Sequence, residues 1–491
     1  MNLNPAFNSW QEGNLRMVES QTKRYFHSVQ LIEEKCKGCV NCIKHCPTEA
    51  IRVRDGKARI HEIKCVDCGE CIRHCPNQAK TAVADTLDKL SQFKYTIALP
   101  APALYGQFSG GVAPERILAG LLHLGFDDVY EVAYAAEMVS GRIREVLAEP
   151  GHPKPLLSSS CPVVVRLIQV RFPEFIENIV PVAPPIRVAA CMARKEKSQQ
   201  LGIPEDEIGL FFISPCPGKV SDILDPVGYD HQYIDGAIPI SEVYPKLRTF
   251  VYNASNEEVG KALRKSSGIG IGWGRCGGEI MAIGAKKHIS VDGIHHVIQI
   301  LEELSHGRLL DMDYIEMLAC VGGCVGGVLA VDNPFISRRR IRDLAVTDTN
   351  ALSDEQIAKR QARLLDEMDR RFLDIECSIE PRPTLPLDTD MSVAIQKLEQ
   401  LEEILETLPG LDCGSCGAPN CRALAEDIVR GLATNTDCIF ILRKRVHQLA
   451  DELLALAAKV PPAMGLEKEE KETIADVTVE DSERTTAGTK D

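Results

Sequence analysis

The residues most able to do chemistry in this chain are its nineteen cysteines. Eight of them form two copies of one pattern, Cys36-x-x-Cys39-x-x-Cys42-x-x-x-Cys46-Pro47 and Cys65-x-x-Cys68-x-x-Cys71-x-x-x-Cys75-Pro76. Two-residue spacers fold a tight loop that aims three thiolates at one metal centre, and the proline ends the turn. Four more, Cys161, Cys216, Cys320 and Cys324, belong to no compact motif. Strand-like apolar runs precede the first three of these, Leu156–Ser160, Leu210–Ser214 and Tyr314–Ala319. A last group is Leu408-Pro409-Gly410-x-x-Cys413-Gly-x-Cys416-Gly-x-x-x-Cys421 with Cys438 further on, its glycines letting backbone amides approach sulfur. The first thirty residues show no apolar export segment, and many cysteines without export read as metal ligands rather than disulfides.

The duplicated run resembles the two-cluster bacterial ferredoxins, in which three cysteines of each run hold one 4Fe-4S cube and the fourth crosses to the other. The resemblance implies that Cys75 completes the cluster of Cys36, Cys39 and Cys42, and that Cys46 completes that of Cys65, Cys68 and Cys71. The group Cys413, Cys416, Cys421 and Cys438 resembles the small 4Fe-4S domain of Rnf-type electron-transfer proteins and corrinoid proteins. Tetrahedral zinc is the rival there, since four such cysteines suit either metal.

The dispersed quartet has informative neighbours. Ser158-Ser159-Ser160-Cys161-Pro162, Ser214-Pro215-Cys216-Pro217-Gly218-Lys219 and Glu316-Met317-Leu318-Ala319-Cys320-Val321-Gly322-Gly323-Cys324 stand in that order. They resemble the three signature segments of FeFe hydrogenases, and the likeness runs from about Phe93 to Gly327. What the family implies is an H-cluster, a 4Fe-4S cube joined through one thiolate to a diiron unit bearing carbon monoxide, cyanide and an azadithiolate. Carried over, Cys161, Cys216 and Cys320 ligate the cube alone, Cys324 bridges to the diiron unit, and the Lys219 ammonium holds a cyanide. A charge-assisted hydrogen bond suits a buried anionic ligand. Ala101, Pro102, Ser214 and Leu318 take positions that contact the cofactor.

The chain departs from that pattern where protons should move. Ser160 stands where prototypical members carry the thiol that starts the proton relay, and a hydroxyl is a far weaker acid. The upstream relay glutamate aligns with Arg142, packing methionines become Ser214 and Leu318, and the glutamate after the lysine is Asp222. A substitute relay is expected in Gly272-Trp273-Gly274-Arg275-Cys276-Gly277-Gly278-Glu279, which resembles the family's glycine-rich loop beside the cluster. Cys276 and Glu279 are its candidate stations, Ser160 its inner neighbour and Glu242 an outer one. The Gly272-x-Gly274-x-x-Gly277 spacing lacks a strand–helix unit with a ribose-binding acid, so it is not a dinucleotide site. Cys191 and Cys377 are expected to be structural.

Strand-like runs at Lys94–Leu99, Asp128–Ala133, Leu156–Ser160, Leu210–Ser214 and Tyr314–Ala319 alternate with helical spacing at Pro114–Leu124, Ile186–Leu201 and Gly293–Leu304. The expected fold class is an α/β central H-cluster domain with mixed or parallel sheets. An α+β two-cluster ferredoxin domain precedes it, and a small helical 4Fe-4S domain follows. In such sheets ligands gather at the carboxyl ends of strands, where these cysteines fall. The expected boundaries are an extension over 1–30, the ferredoxin-like domain 31–85 and the H-cluster domain 90–345. Then come a helix and linker 346–390, the 4Fe-4S domain 391–440, a C-terminal helix 441–464 and a disordered acidic tail 465–491.

Within these, Ser353-x-x-Gln356 is a capping-box start for a helix to Arg371, and Glu380–Pro386 is a Pro-rich linker. A helix with Met391, Ala394, Ile395, Leu398, Leu401 and Leu405 on one face follows. Ile439, Leu442, Val446, Leu449, Leu453, Leu456 and Val460 step by three and four, as a coiled-coil seam or a packed amphipathic helix does.

A net charge of −14 argues against a nucleic-acid surface, and no apolar run approaches the roughly 20 residues of a membrane span. Expected partners are H2 and protons, a redox protein such as ferredoxin, the hydrogenase maturation machinery, and a signalling partner or second copy on the C-terminal helix. The expected setting is an oxygen-poor cytoplasm. The changed relay, with the extra cluster domain and helix, resembles the sensory branch of FeFe hydrogenases, without its usual PAS domain. Three readings follow: a slow hydrogenase sensing H2 or redox poise, a catalytic ferredoxin-linked hydrogenase, and a non-catalytic iron–sulfur scaffold or electron carrier.

Overall fold

The computed structural model describes residues 25–109, 111–255, 259, 264–349, 353–382, 387–388 and 390–459. Most of the extension expected over 1–30, the end of the Pro-rich linker, Val460 and the tail over 465–491 lie outside the described residues. The chain divides into two compact units, Met1–Pro386 with Gly417–Pro419, and Leu387–Cys416 with Asn420–Asp491.

The first unit begins with two related halves. Strand β1 (Val29–Leu31), helix α1 (Asn41–Lys44), the hairpin strands β2 (Ile51–Arg54) and β3 (Lys57–Ile60), helix α2 (Glu70–Arg73) and strand β4 (Lys80–Ala82) follow in order. β1 pairs antiparallel with β4, and β2 with β3. Asp55 and Gly56 both adopt positive φ at the tip of that hairpin, as an Asp-Gly two-residue turn demands. One helical turn precedes the fourth cysteine of each run, so the folded halves repeat with the 29-residue offset of the sequence.

Strands and helices then alternate. They are β5 (Tyr95–Pro100), α3 (Pro114–His123), β6 (Asp128–Val129), α4 (Val132–Ala148), β7 (Leu156–Leu157), α5 (Pro162–Arg171), α6 (Pro185–Leu201), β8 (Ile208–Ser214), α7 (Pro217–Leu224), β9 (Gly236–Pro239) and α8 (Ile240–Asn253). The short α9 (Gly268–Gly272) and α10 (Gly278–Ile283) lead to β10 (His288–Asp292), α11 (Ile294–Ser305) and β11 (Tyr314–Leu318). Every strand pair here is parallel, in a four-stranded sheet ordered β6-β5-β8-β9 and a three-stranded sheet ordered β10-β11-β7. All seven residues of β8 are buried, as expected of a parallel strand covered on both faces.

Two strand expectations shrink. Asp128–Ala133 is a strand for two residues only, because Val132 opens the 17-residue α4, whose Ala-rich sequence packs as a buried helix. Leu156–Ser160 shortens to Leu156–Leu157, since the chain must turn for Cys161 to stand as N-cap of α5 with Pro162 at its first position. Helix α8, with Pro245 inside it, has no counterpart in the sequence reading.

Helix α12 (Pro334–Thr349) follows, then α13 (Asp354–Asp366), which starts at the Ser353–Gln356 capping box and stops short of Arg371. α13 docks on α4, where Arg360 pairs with the fully buried Glu137 at 2.5 Å. In the second unit α14 (Met391–Thr407) is capped by Asp390, α15 (Cys421–Val429) by Asn420, and α16 (Ile439–Ala457) starts directly from Cys438. Leu401, Leu408, Ala423, Leu424, Ala425 and Cys438 form its small core. Of the apolar face expected on α14, Leu401 is buried while Met391, Ile395 and Leu398 are exposed. No helix of the described residues is long and apolar enough to cross a membrane.

Candidate functional site

The two halves of the N-terminal region build two small cavities. One is lined by Cys36, Cys39, Cys42 and Cys75, the other by Cys46, Cys65, Cys68 and Cys71. Each set draws three thiols from one run and the fourth from the other. The Ala50 and Ala79 amides donate to the sulfurs of Cys46 and Cys75, each at 3.2 Å, as amides do to cluster-bound thiolate. Burial pushes the Cys42 thiol up to about 11 and Cys71 up to about 12, while Lys80 pulls both down. The Lys80 ammonium is buried and has no hydrogen-bond partner. A lone buried cation among four thiols is costly unless the cavity holds negative charge, so the donor set fits an anionic cube.

The second of these cavities is tied to the hydrogenase-like half through Asp67, between Cys65 and Cys68. Its carboxylate accepts from the Ser28 and Val29 amides and from the Ser221 hydroxyl of α7 at 2.8 Å. It also pairs with Arg166 of α5 at 3.3 Å, both side chains fully buried. The helices so engaged are the two that open at Cys161 and Cys216.

Cys161 and Cys216 are N-caps of α5 and α7, Cys320 follows β11, and Cys324 opens a 3-10 turn. Three separate elements thus converge on one place. Burial and the neighbouring Cys161 push Cys216 up to about 12; burial with the other three thiols raises Cys320 well above the ordinary thiol value, and burial with Cys216 and Cys161 raises Cys324. Thiols that oppose one another's ionisation persist as thiolates where a cationic metal centre compensates them. Lys219 pulls Cys216 and Cys324 down, as a cation in their neighbourhood does. Among the described residues its ion pair is a loose one, with Asp222 at 4.0 Å.

The Ser214 hydroxyl donates to the Cys216 carbonyl at 2.9 Å and accepts from its amide, so it fixes the turn holding that cysteine. Ala101 and Leu318 are buried. Gly274 approaches the Pro102–Ala103 peptide so closely that a Cβ there would sit 3.0 Å from it. Gly323, at φ +94°, brings the Cys320–Cys324 segment against Cys276, where a Cβ would lie 2.5 Å from its amide nitrogen. The glycine-rich loop is thereby clamped against the Pro102–Ala103 peptide and the Cys320–Cys324 segment.

Glu279 is buried and accepts from Ser158 Oγ at 2.8 Å, from Ser160 Oγ at 3.3 Å and from the Tyr314 hydroxyl at 2.6 Å. Burial raises it above the usual carboxylate range although these three donors lower it. Glu316 lies beyond, accepting from the Gly277 and Ile280 amides and from Ser290 Oγ. Burial and the neighbouring Glu279 push it up to about 8. Sequence reasoning placed Glu316 only as part of a signature segment; its β11 position, facing the same side as Tyr314, was the available signal.

The remaining relay candidates separate. Burial and the nearby Glu316 push the Cys276 thiol up to about 12, and this thiol makes no hydrogen bond to Glu279 among the described residues. Glu242 is not part of the chain of groups, for it stands half exposed on α8, paired with Lys246 at 2.8 Å. Arg142 pairs with Asp374 at 2.9 Å and with Glu145. Cys191 is buried, and Cys377 approaches Asp230 at 3.0 Å.

In the second unit, the Asp412 carboxylate accepts from the Cys421 amide at 2.7 Å. The Asn420 side chain accepts from the Ala423 amide, also at 2.7 Å, and both bonds fix the turn on which Cys421 opens α15. Cys438 is buried at the start of α16 and Cys413 is exposed.

Comparison with known proteins agrees with this organisation. The model of the iron-only hydrogenase large subunit, C-terminal domain, matches residues 94–289 and 281–328. A 4Fe-4S dicluster domain matches residues 28–76, and an Fe-S cluster family matches residues 408–440. The periplasmic Fe hydrogenase large subunit of Nitratidesulfovibrio vulgaris is 29% identical over 221 residues, which is 41% of this chain and 52% of that one. A component of the ion-translocating oxidoreductase complex of Rhodobacter capsulatus is 50% identical over 38 residues, 8% of this chain and 20% of that one. The FeFe hydrogenase HydA1 of Chlamydomonas reinhardtii superposes with a TM-score of 0.47 at 15% identity, over 61% of this chain and 98% of that chain. The chain spans about half the length of the curated hydrogenases it matches. Residues 94–328 thus match the iron-only hydrogenase large subunit, C-terminal domain, with a match to a 4Fe-4S dicluster domain before them and to an Fe-S cluster family after them.

Proposed function

We propose that this chain is a slow FeFe hydrogenase that reports H2 or redox poise. When bound, the H-cluster supplies the metal site at which H2 is cleaved heterolytically and protons are reduced. In this reading Cys161, Cys216, Cys320 and Cys324 hold it, and Lys219 donates to its anionic edge. The observation that carries the reading is the Ser160–Glu279 contact. The group facing the cluster is a hydroxyl, which holds its proton far more tightly than a thiol, and a raised carboxyl stands directly behind it. Proton exchange then runs through Glu279 towards Glu316 and Ser290, by general acid–base transfer at each carboxyl. Electrons leave through the cysteine sets of the N-terminal region, and the cluster of Cys413, Cys416, Cys421 and Cys438 lies at the base of α16, whose exposed seam suits a signalling contact.

Infrared spectra of protein matured with the diiron cofactor test the reading, together with dye-linked turnover. Carbon monoxide and cyanide bands with low turnover are expected. Absence of those bands in protein with full iron content refutes it and leaves an iron–sulfur scaffold. The pair of neighbouring buried carboxyls, Glu279 and Glu316, favours a second reading, a catalytic ferredoxin-linked hydrogenase, and fast turnover would select it.

A further inference from the structure

The two halves of the dicluster domain are related by an offset of 29 residues, which carries Cys36 onto Cys65, Cys46 onto Cys75 and Ala50 onto Ala79. The same offset carries Ile51 onto Lys80. Both residues open a strand, both are buried, and each lines the cavity beside it. At this position one cavity has a sec-butyl side chain where the other has a buried ammonium; the walls differ also at the exposed Lys37, which stands where the other cavity has Val66, and at Asn77, which stands where it has Thr48. The buried ammonium has no hydrogen-bond partner. In the Ile51 cavity the one buried carboxylate, Asp67, already has its cation in Arg166.

The two cavities also differ in their distance from the H-cluster cysteines. Cys68 packs against the same apolar cluster as Cys161, and Gly69 abuts Val328 and Pro217. Arg73 donates to the Gly326 carbonyl at 2.6 Å. The Ile51 cavity is thus proximal and the Lys80 cavity distal.

Reducing a 4Fe-4S cube adds one negative charge, and an uncompensated cation in a medium of low dielectric stabilises the reduced form. We propose that Lys80 makes the distal cube the electron trap of this chain, holding its reduction potential above that of its proximal twin. The inference rests on the reading that these eight cysteines hold two cubes. An electron released at the H-cluster then passes the proximal cube and comes to rest on the distal one, so the chain stays reduced after H2 has gone.

The test is an EPR-monitored redox titration of the full chain with its cubes in place, comparing wild type with Lys80→Met, Lys80→Arg and Ile51→Lys. Lys80→Met is expected to lower the reduced-to-oxidised ratio of one cluster at least tenfold at fixed solution potential, which is 59 mV for one electron. The proximal cluster, whose Cys71 also feels Lys80, should move less, and Lys80→Arg should keep the wild-type value. Ile51→Lys should raise the proximal cluster towards the distal one, and it provides the reciprocal reading if Lys80→Met loses iron. Unchanged potentials in Lys80→Met and in Ile51→Lys, each with full iron content, overturn the proposal. Wild-type protein lacking the iron and sulfide for two such cubes overturns the cluster reading instead.

Discussion

Ser160 Oγ and Glu279 Oε1 stand 3.3 Å apart, and the residue after Ser160 is Cys161, the first of the dispersed cysteine quartet. A hydroxyl donating to a buried carboxyl is a different starting point for proton traffic from a thiol. Glu279→Gln keeps the shape and removes the ionisable proton. It should lower dye-linked turnover by roughly 10²–10⁴-fold, the range of general acid–base contributions. Infrared bands of the cofactor should stay in place. Cys276→Ala should cost less, since its thiol is not bonded to Glu279. An equal loss in the two variants would return Cys276 to the relay.

The proton on Glu316 carries a stability signature. Its folded-state value is raised from 4.5 to about 8 by burial and by Glu279. The folded protein therefore holds this proton where the unfolded chain has released it. The stabilisation is complete below the unfolded value and is lost as pH rises towards 8, with a slope of about 1.4 kcal/mol per pH unit for one proton. Glu316→Gln should flatten the fall in thermal midpoint between about pH 5 and pH 8. An identical pH profile in the variant would show that this carboxyl is not protonated in the folded state.

Lys219→Met should separate the two parts of the cofactor. The ammonium acts on the Cys216 and Cys324 sulfurs, while the methionine side chain fills the space without donating. Iron bound by the three cube-only ligands should persist, and carbon monoxide and cyanide bands should weaken or vanish. Full-intensity bands at unchanged positions would mean that Lys219 does not touch the diiron unit.

The seam of α16 should pair with a second copy of itself. Ile439, Leu442, Val446, Leu449, Leu453 and Leu456 are all exposed, and the helix is basic at Arg443 to Arg445 and acidic at Asp451 and Glu452. Antiparallel pairing about the Val446–Leu449 layer sets Arg445 against Glu452 of the second copy. Light scattering at micromolar concentration should give a dimer for wild type and a monomer for Val446→Asp with Leu449→Asp, iron content being equal. A monomeric wild type would assign the seam to another partner.

The ligand-bearing parts of the fold were legible because cysteine spacing and proline placement are local. Pro162 and Pro217 mark the helices that Cys161 and Cys216 cap, and β5, β8 and β11 match their expected apolar runs within two residues at each end. α4 was misread where its first residues, Val132 and Ala133, continue the apolar run of a strand; periodicity cannot separate a helix buried on most sides from a strand. The surroundings of Glu279 were hidden for another reason. Ser158, Ser160 and Tyr314 reach it from two other segments, more than thirty residues away in sequence. Nothing local encodes such a meeting, and the glutamate could be named from its loop while its partners could not.

The buried Asp67–Arg166 pair bears on how such a chain can be rebuilt. Modular swaps treat a ferredoxin domain as a cassette to be cut out, exchanged or fused. Here the cassette's own loop supplies the counter-charge for a guanidinium inside its neighbour. Excision before about residue 85 would strand Arg166 in an apolar core, at a cost of about 3–5 kcal/mol. Any exchangeable donor module must bring an acid at the second position after the first cysteine of its second run, or the host must give up its arginine at the same time.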